Sequence, residues 1–335
     1  MSAECVNSAD KSSASETSVS PAVLPERGGR PSPFAIGIDF GTSKCCVAVV
    51  RDGRVDVLEN ELGQRTTPSC VAFNSQQRLV GSDALSQAVV NCDNTVHGVK
   101  KFLGRTYDEV KDLSSLCRIN PTEPSDIFEN FIHYKNTDLR LRPEQVAAML
   151  LGKMKDIAES SLGCPVDRAV ISVPASFGNA QRLAIKNAAQ VAGLEVLELI
   201  NETTAAGVAF VENRTVQTPE VIAVVDFGAG KLDVSIMEIL LTKDEISKVV
   251  LVGGSTRVPL VRAVLEGYFG PGKLDQTLNK DEAVARGAAL RAATLSGQET
   301  SIKFLYISVN GKAKEAVENF SAYIKEAPTG TAYRR

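Results

Sequence analysis

Two short stretches hold the residue types best suited to chemistry, and each is a version of the other. Ile36 to Val50 reads IGIDFGTSKCCVAVV, and Ile222 to Ile239 reads IAVVDFGAGKLDVSIMEI. Aligned without gaps, Asp39-Phe40-Gly41 falls on Asp226-Phe227-Gly228, and Lys44 falls on Lys231. Each is an apolar run that ends in an acid, bends through small residues and resumes, which is the pattern of a tight hairpin. A turn without bulky side chains lets backbone N–H groups approach an anion closely. The acid at the strand end would repel a phosphate, but it can hold the water shell of a Mg²⁺ ion bridging phosphate oxygens. Two such hairpins face to face predict a phosphate clamp, with Asp39 and Asp226 on opposite sides of one cleft and the two lysines adding positive charge. A lone D-x-G turn is common; recurrence of the whole pattern, strand phase included, is what gives this pair weight.

DFGAGK is not a Walker loop. That motif needs a glycine where Val225 stands and Ser or Thr where Leu232 stands. A third glycine turn lies in VVLVGGSTRVP. Gly253 and Gly254 allow close backbone approach, Ser255 or Thr256 can cap a following helix, and Arg257 would project near whatever covers the turn.

The elements that must hold these turns follow from periodicity. After the first hairpin, GRVDVLEN and TTPSCVAF read as further strands of a β-rich opening, and Asn91 to Val110 as a loop leading into a short helix. Residues 117–138 show little periodicity. From Pro143 the pattern becomes helical, with Val146, Leu150, Met154 and Ile157 on one face until Gly163. Then come the strand RAVISVPASF, a helix over about Asn179 to Ala192, the strand EVLELI, a short helix in TTAAGVAF, the second hairpin, the strand KVVLVGG, and helices in VPLVRAVLEGYF and DEAVARGAALRAATL. Strands followed by helices, repeated, predict an α/β fold with a mostly parallel sheet and hairpins at its start. Past Gln298 the sequence offers one strand candidate, IKFLYISV, and a helix around Glu315 to Lys325.

At 335 residues there is room for two compact domains. A net charge of −3 gives no electrostatic reason to expect nucleic acid or an anionic membrane as partner. Seven scattered cysteines without a CxxC, and only His97 and His133, exclude the usual zinc sites and suit a reducing, cytoplasmic setting. Residues 1–34 are Ser-, Ala- and Pro-rich and are expected to form a disordered tail without a signal-peptide core. No apolar run reaches the roughly 18–20 residues that span a bilayer.

The motifs, in their order, resemble the actin-like ATPase (ribonuclease H-like) fold, and within it the heat-shock protein 70 chaperone family. IGIDFGTSKCCVAV resembles that family's first phosphate loop, and NTVHGVKKFLGR the segment of its catalytic lysine, here Lys100. ISVPASFGNAQR resembles the segment with the proline and arginine of the interdomain switch, here Pro174 and Arg182, and LINETTAAGVAF the one with the active-site glutamate, here Glu202. VVDFGAGKLDVSI resembles the second phosphate loop, VVLVGGSTRVP the adenosine loop, and NKDEAVARGAAL the following helix start, with Asp281. The likeness spans about residues 35–297, and TLNKDEAVARGAAL leans toward the heat-shock protein 110-like branch. The resemblance implies ATP with Mg²⁺, and K⁺ as a further ion. Asp39 and Asp226 would organise the metal's waters, Lys100 would steady the attacking water, and Glu202 would orient the metal shell. Gly41, Thr42, Ser43, Lys44, Gly228, Gly230 and Lys231 would meet phosphates, and Gly253, Gly254, Ser255, Arg257 and Asp281 the adenosine side. It also implies two lobes, residues 35–216 and 217–298, with residues 299–335 unassigned.

Three departures qualify that picture. Between Glu238-Ile239 and Lys248-Val249 the family inserts a subdomain that walls one side of the cleft and carries a lysine–arginine–serine grip on adenine and ribose; here it is missing at about 240–247. Positions usually held by hydroxyl or glycine residues are Lys44, Ala229 and Lys231. The hydrophobic linker and the client-binding β-sandwich are not found. The expected function is thus an ATP-binding chaperone ATPase domain with weakened nucleotide binding. Its expected partners are J-domain co-chaperones, nucleotide exchange factors or a complete chaperone, with unfolded clients reached only indirectly. The alternative is a non-enzymatic, degenerate fragment that binds partners. A sugar or glycerol kinase of the same fold is disfavoured by NETTAA and GGSTRVP.

Overall fold

The apolar run Ala35–Phe40 forms strand β1, and Lys44–Arg51 returns antiparallel beside it as β2, in register from Ile36 opposite Val49 to Phe40 opposite Cys45. The computed structural model describes residues 32–113, 119–122, 127–135, 137–212, 220–239 and 246–298. Within them follow β3 (Arg54–Val57), β4 (Thr67–Pro68), β5 (Cys70–Phe73), β6 (Arg78–Val80), α1 (Ser82–Gln87), β7 (Thr95–His97), α2 (Tyr107–Val110), β8 (Ile119–Thr122), β9 (Ile127–Tyr134) and β10 (Thr137–Leu141). The second half of the order is α3 (Pro143–Leu162), β11 (Arg168–Val173), α4 (Asn179–Val191), β12 (Glu195–Asn201), α5 (Glu202–Val211), β13 (Glu220–Phe227), β14 (Leu232–Ile239), β15 (Ile246–Val252), α6 (Pro259–Phe269), β16 (Leu274–Asp275) and α7 (Ala283–Leu295). The tail expected at 1–34, apart from 32–34, and the strand and helix expected after Gln298 lie outside the described residues.

Two sheets carry the sequence repeat into topology. The larger runs β12-β11-β1-β2-β3, with β4 also on β2, and the other runs β14-β13-β15-β16. In the first, β1 pairs antiparallel with β2 and parallel with β11; in the second, β13 pairs antiparallel with β14 and parallel with β15. Each hairpin therefore has its acid-bearing strand in the sheet interior and a parallel neighbour on the far side.

The stripe expected on α3 is buried at Val146, Leu150, Met154 and Ile157, against Ile36, Ile38 and Phe40 of β1. Gly163 ends that helix in the left-handed conformation, with φ 66°. Between the two sheets lies a second core, where Ala205 and Ala206 of α5 meet Ala283, Ala288 and Ala292 of α7 and Val224 and Val250 of the second sheet. The small residues of α7 exist for close approach. A Cβ on Gly37 of β1 would lie 2.0 Å from the Ala289 nitrogen, and one on Gly287 would lie 1.7 Å from the Ala205 carbonyl oxygen. α7 is thus a wedge that ties both hairpins to one frame.

One stretch differs from its expectation. The aperiodic stretch 117–138 supplies β8, β9 and the start of β10, which form the meander β10-β9-β8. Its signal is hidden because β8 is an edge strand with Pro121 inside it, a place where a missing N–H is tolerated. Among the described residues, no helix is long and apolar enough to cross a membrane.

Candidate functional site

Asp39 and Asp226 stand near the carboxyl ends of β1 and β13, and the Gly253 turn follows the carboxyl end of β15, where the crevice of an α/β sheet gathers ligands. All three turns open into one cleft of about 280 Å³. Its lining includes Asp39, Gly41, Thr42, Ser43 and Lys44 from the first turn, and Asp226, Gly228, Gly230 and Lys231 from the second. Gly253, Gly254, Ser255 and Arg257 come from the third, and Lys100, Glu202, Lys280 and Asp281 also line it. The hairpin turns touch: a Cβ on Gly230 would sit 2.8 Å from Thr42 Oγ1. The first turn is tight enough that a Cβ on Gly41 would meet the Lys44 carbonyl oxygen at 2.1 Å. Gly253, at φ 82°, lets its backbone lie against Phe227 and Asp226, where a Cβ would come within 2.7 Å of Asp226 Oδ1.

Polar contacts fix these turns. Ser69 Oγ donates to the Gly41 carbonyl (2.7 Å), and the Ser69 N–H donates to the Ser43 carbonyl (2.9 Å). Ser255 Oγ donates to the Gly228 carbonyl at 3.1 Å and so joins the third turn to the second. This replaces the helix cap expected of Ser255 or Thr256. A 3₁₀ turn spans Gly254–Arg257 and α6 begins only at Pro259, so the Thr256 hydroxyl turns back to the Gly253 carbonyl (2.7 Å). Arg257 pairs with Asp281 at 2.7 Å, which holds the Asp281 carboxyl below its usual range.

The cleft floor is a charge cluster. Glu202, the first residue of α5, gives Oε1 to Lys100 and Oε2 to Lys231, the second at 2.9 Å. Lys231 also pairs with Asp233. Burial pushes Glu202 up, but the two lysines outweigh it and hold the carboxyl below its usual range. Burial likewise depresses Lys100, and the carboxylates around it more than compensate, so its ammonium is held. Asp39 and Asp226 fare differently. Burial and the Glu202 charge push Asp39 up to about 6, although Ser172 Oγ donates to its Oδ1 at 2.9 Å. The same causes, with Asp39 added, push Asp226 to about 7. Two facing carboxyls left short of positive charge suit a cation. Among the described residues, no group of three or more His, Cys, Asp and Glu is placed to hold a metal directly. The pair fits an ion held through its own waters. Of the cysteines, Cys45 and Cys46 reach the cleft, but burial pushes both thiols up, Cys45 to about 11, so neither is a nucleophile.

Pro174 and Arg182 lie outside the cleft lining. Arg182 donates to the carbonyls of Phe177 (2.9 Å) and Pro174 (3.4 Å) and to Asn201 Oδ1 (2.9 Å). Asn201 directly precedes Glu202, so the arginine braces the start of the helix that carries the cluster's central acid. Sequence reasoning missed Ser172, Asp233 and Ser69. Ser172 alone left a signal: it is a polar residue inside the apolar run of β11, which pairs with β1.

The raised carboxyls give a pH prediction. Their folded values lie above the unfolded ones, so they cost stability once ionised. The cost is absent below about pH 4, grows as pH rises, and is complete above about pH 7. In metal-free buffer, Asp226→Asn is therefore expected to lie close to the parent at pH 4 and to exceed it by up to about 4 kcal/mol at pH 8. Urea midpoints across that range check this; a variant less stable than the parent at pH 8 refutes it.

Residues 35–240 and 240–313 match the family model described as Hsp70 protein. The chain belongs to the Hsp70 family. Its α/β architecture is that family's actin-like ATPase fold. Among curated Hsp70-family relatives, heat shock 70 kDa protein 7 of Homo sapiens is 42% identical over 211 residues, covering 62% of this chain and 58% of the relative. The ribosome-associated molecular chaperone SSB of Candida glabrata and a ribosome-associated molecular chaperone of Saccharomyces cerevisiae are 29% and 30% identical over 384 residues, covering 80% of this chain and 62% of each relative. The chain spans about three fifths of the length of these relatives.

Proposed function

We propose that this Hsp70-family domain binds ATP with Mg²⁺ in the cleft between its two hairpins and hydrolyses it at an impaired rate, in the service of protein folding. The observation that carries the reading is the meeting of the two repeated turns, Thr42 against Gly230, with Asp39 and Asp226 on one cleft. The backbone of the two turns, at Gly41, Thr42, Gly228 and Gly230, would cradle phosphates, and the Gly253–Gly254 backbone with Arg257 would face the nucleoside. Asp39 and Asp226 would hold the waters of Mg²⁺, which when bound would neutralise phosphate oxygens. Lys100, fixed by Glu202, would hold the attacking water in line with the terminal phosphate. Catalysis of this kind is positioning and charge neutralisation, so it depends on how rigidly the floor is held.

The proposed organisation is two lobes, residues 35–216 and 217–298, the second lacking a subdomain at about 240–247. The break of the family match at residue 240 supports this. So does the length of the alignments to the ribosome-associated chaperones, 384 positions against a chain of 335 residues. Co-chaperones that grip this domain, exchange factors and J-domain proteins, are the proposed partners. A second reading, a partner-binding module without turnover, draws support from Lys231, which takes the Glu202 oxygen that Lys100 leaves free.

Titration with a fluorescent ATP analogue tests the nucleotide reading. The parent should bind, and Gly230→Val, whose side chain forces the turns apart, should lose binding at least about tenfold while keeping its melting transition. Equal binding by both overturns the placement of the nucleotide.

A further inference from the structure

We propose that the Lys231 ammonium is a fixed counter-ion of the nucleotide phosphates in this cleft, supplying charge that a divalent cation would otherwise bring, so that nucleotide binding here needs little or no metal. The inference rests on the nucleotide reading above and goes beyond it.

Lys231 sits in the second hairpin turn, one residue past Gly230, whose backbone meets Thr42 of the first. Its side chain is 26% exposed and lines the cleft, while its ammonium reaches Glu202 Oε2 at 2.9 Å and the Asp233 carboxylate. It is therefore tethered from below by two acids and open to the cleft above. That is the geometry of an ion held in place, and a tethered ammonium loses less freedom on meeting a phosphate than a free side chain does. The same contact removes Glu202 from service to a metal, because Lys100 already holds its other oxygen. The wider field agrees. Cationic side chains lining the cleft outnumber carboxylates five to four. Before any metal enters, the cleft is already suited to an anion.

The alternative, that Lys231 is a structural ion pair only, predicts a different metal dependence. Sodium ATP is titrated into the whole chain by calorimetry, once with EDTA and once with excess Mg²⁺, for the parent, Lys231→Thr and Lys231→Arg. The parent is expected to bind with affinities within about threefold of each other in the two buffers. Lys231→Thr should lose at least tenfold in EDTA, about 1.4 kcal/mol, and recover most of that with Mg²⁺. Lys231→Arg, which keeps the charge, should stay near the parent. Thermal melts of all three, with Mg²⁺ alone added, give a second readout: Mg²⁺ should raise the midpoint of Lys231→Thr more than that of the parent. A parent that loses tenfold or more in EDTA overturns the proposal while leaving the nucleotide reading intact. A parent that binds in neither buffer overturns both.

Discussion

Calorimetric titration with Mg-ATP is expected to give an affinity at least ~100-fold below that of a family member with an uninterrupted second half, about 2.7 kcal/mol. The reason lies between β14, which ends at Ile239, and β15, which begins at Ile246. On the proposed organisation, a piece that would wall the adenine and ribose and grip them with charged and hydroxyl side chains is missing there. Each polar partner lost removes on the order of 0.5–1.5 kcal/mol, and more where it is charged, so the loss of two or three suffices. What remains on that side is weakly disposed to replace them. Arg257 is about half exposed and already spends its guanidinium on Asp281. The proposed phosphate end, by contrast, keeps both turns and Lys100 on the cleft. The deficit should therefore concentrate in the nucleoside: triphosphate alone should bind nearly as well as ATP. An affinity equal to that of the complete relative would mean that another part of the chain, or a second copy, rebuilds the wall.

The site was legible in the sequence to the extent that it was written twice. Asp39 and Asp226 could be paired because the hairpins share residues as well as pattern, and repetition survives whatever the intervening chain does. Lys100 and Glu202 were reached through the family resemblance alone. Nothing local marks a lysine in VHGVKKF as buried; its environment is created by α5 and the two hairpins closing over it. The partners of Lys231 were equally invisible. Asp233 reads as a strand residue, and only the turn geometry brings it onto the lysine. The fold follows the same division. The α3 stripe announces itself by period, whereas the approach of α7 to β1 at Gly37 is set by small residues whose meaning depends on a partner far along the chain. The β8–β10 meander leaves little signal because its edge strand carries a proline and, among the described residues, its strands pair with one another.

Lys100→Met should abolish turnover and also cost the fold about 3 kcal/mol, an expectation that separates the floor's structural role from its chemical one. Lys100 and Glu202 are each 4% exposed. Taking one partner out of such a pair leaves a buried charge uncompensated, which typically costs about 3–5 kcal/mol. The lower end applies, because Glu202 keeps Lys231 on its second oxygen. Lys100→Met/Glu202→Gln removes both charges while keeping both shapes, and it should recover at least half of the lost stability. Turnover should not return, since the ammonium proposed to hold the attacking water is gone. Urea midpoints for the parent, the two single variants and the double variant measure the coupling between the residues, which should be about 1–3 kcal/mol in favour of the pair. Stability losses that simply add would mean the ion pair is not the unit that holds the floor. Single-turnover hydrolysis in the double variant equal to the parent's would remove Lys100 from the chemistry, leaving it only as the brace that keeps Glu202 charged beneath the cleft.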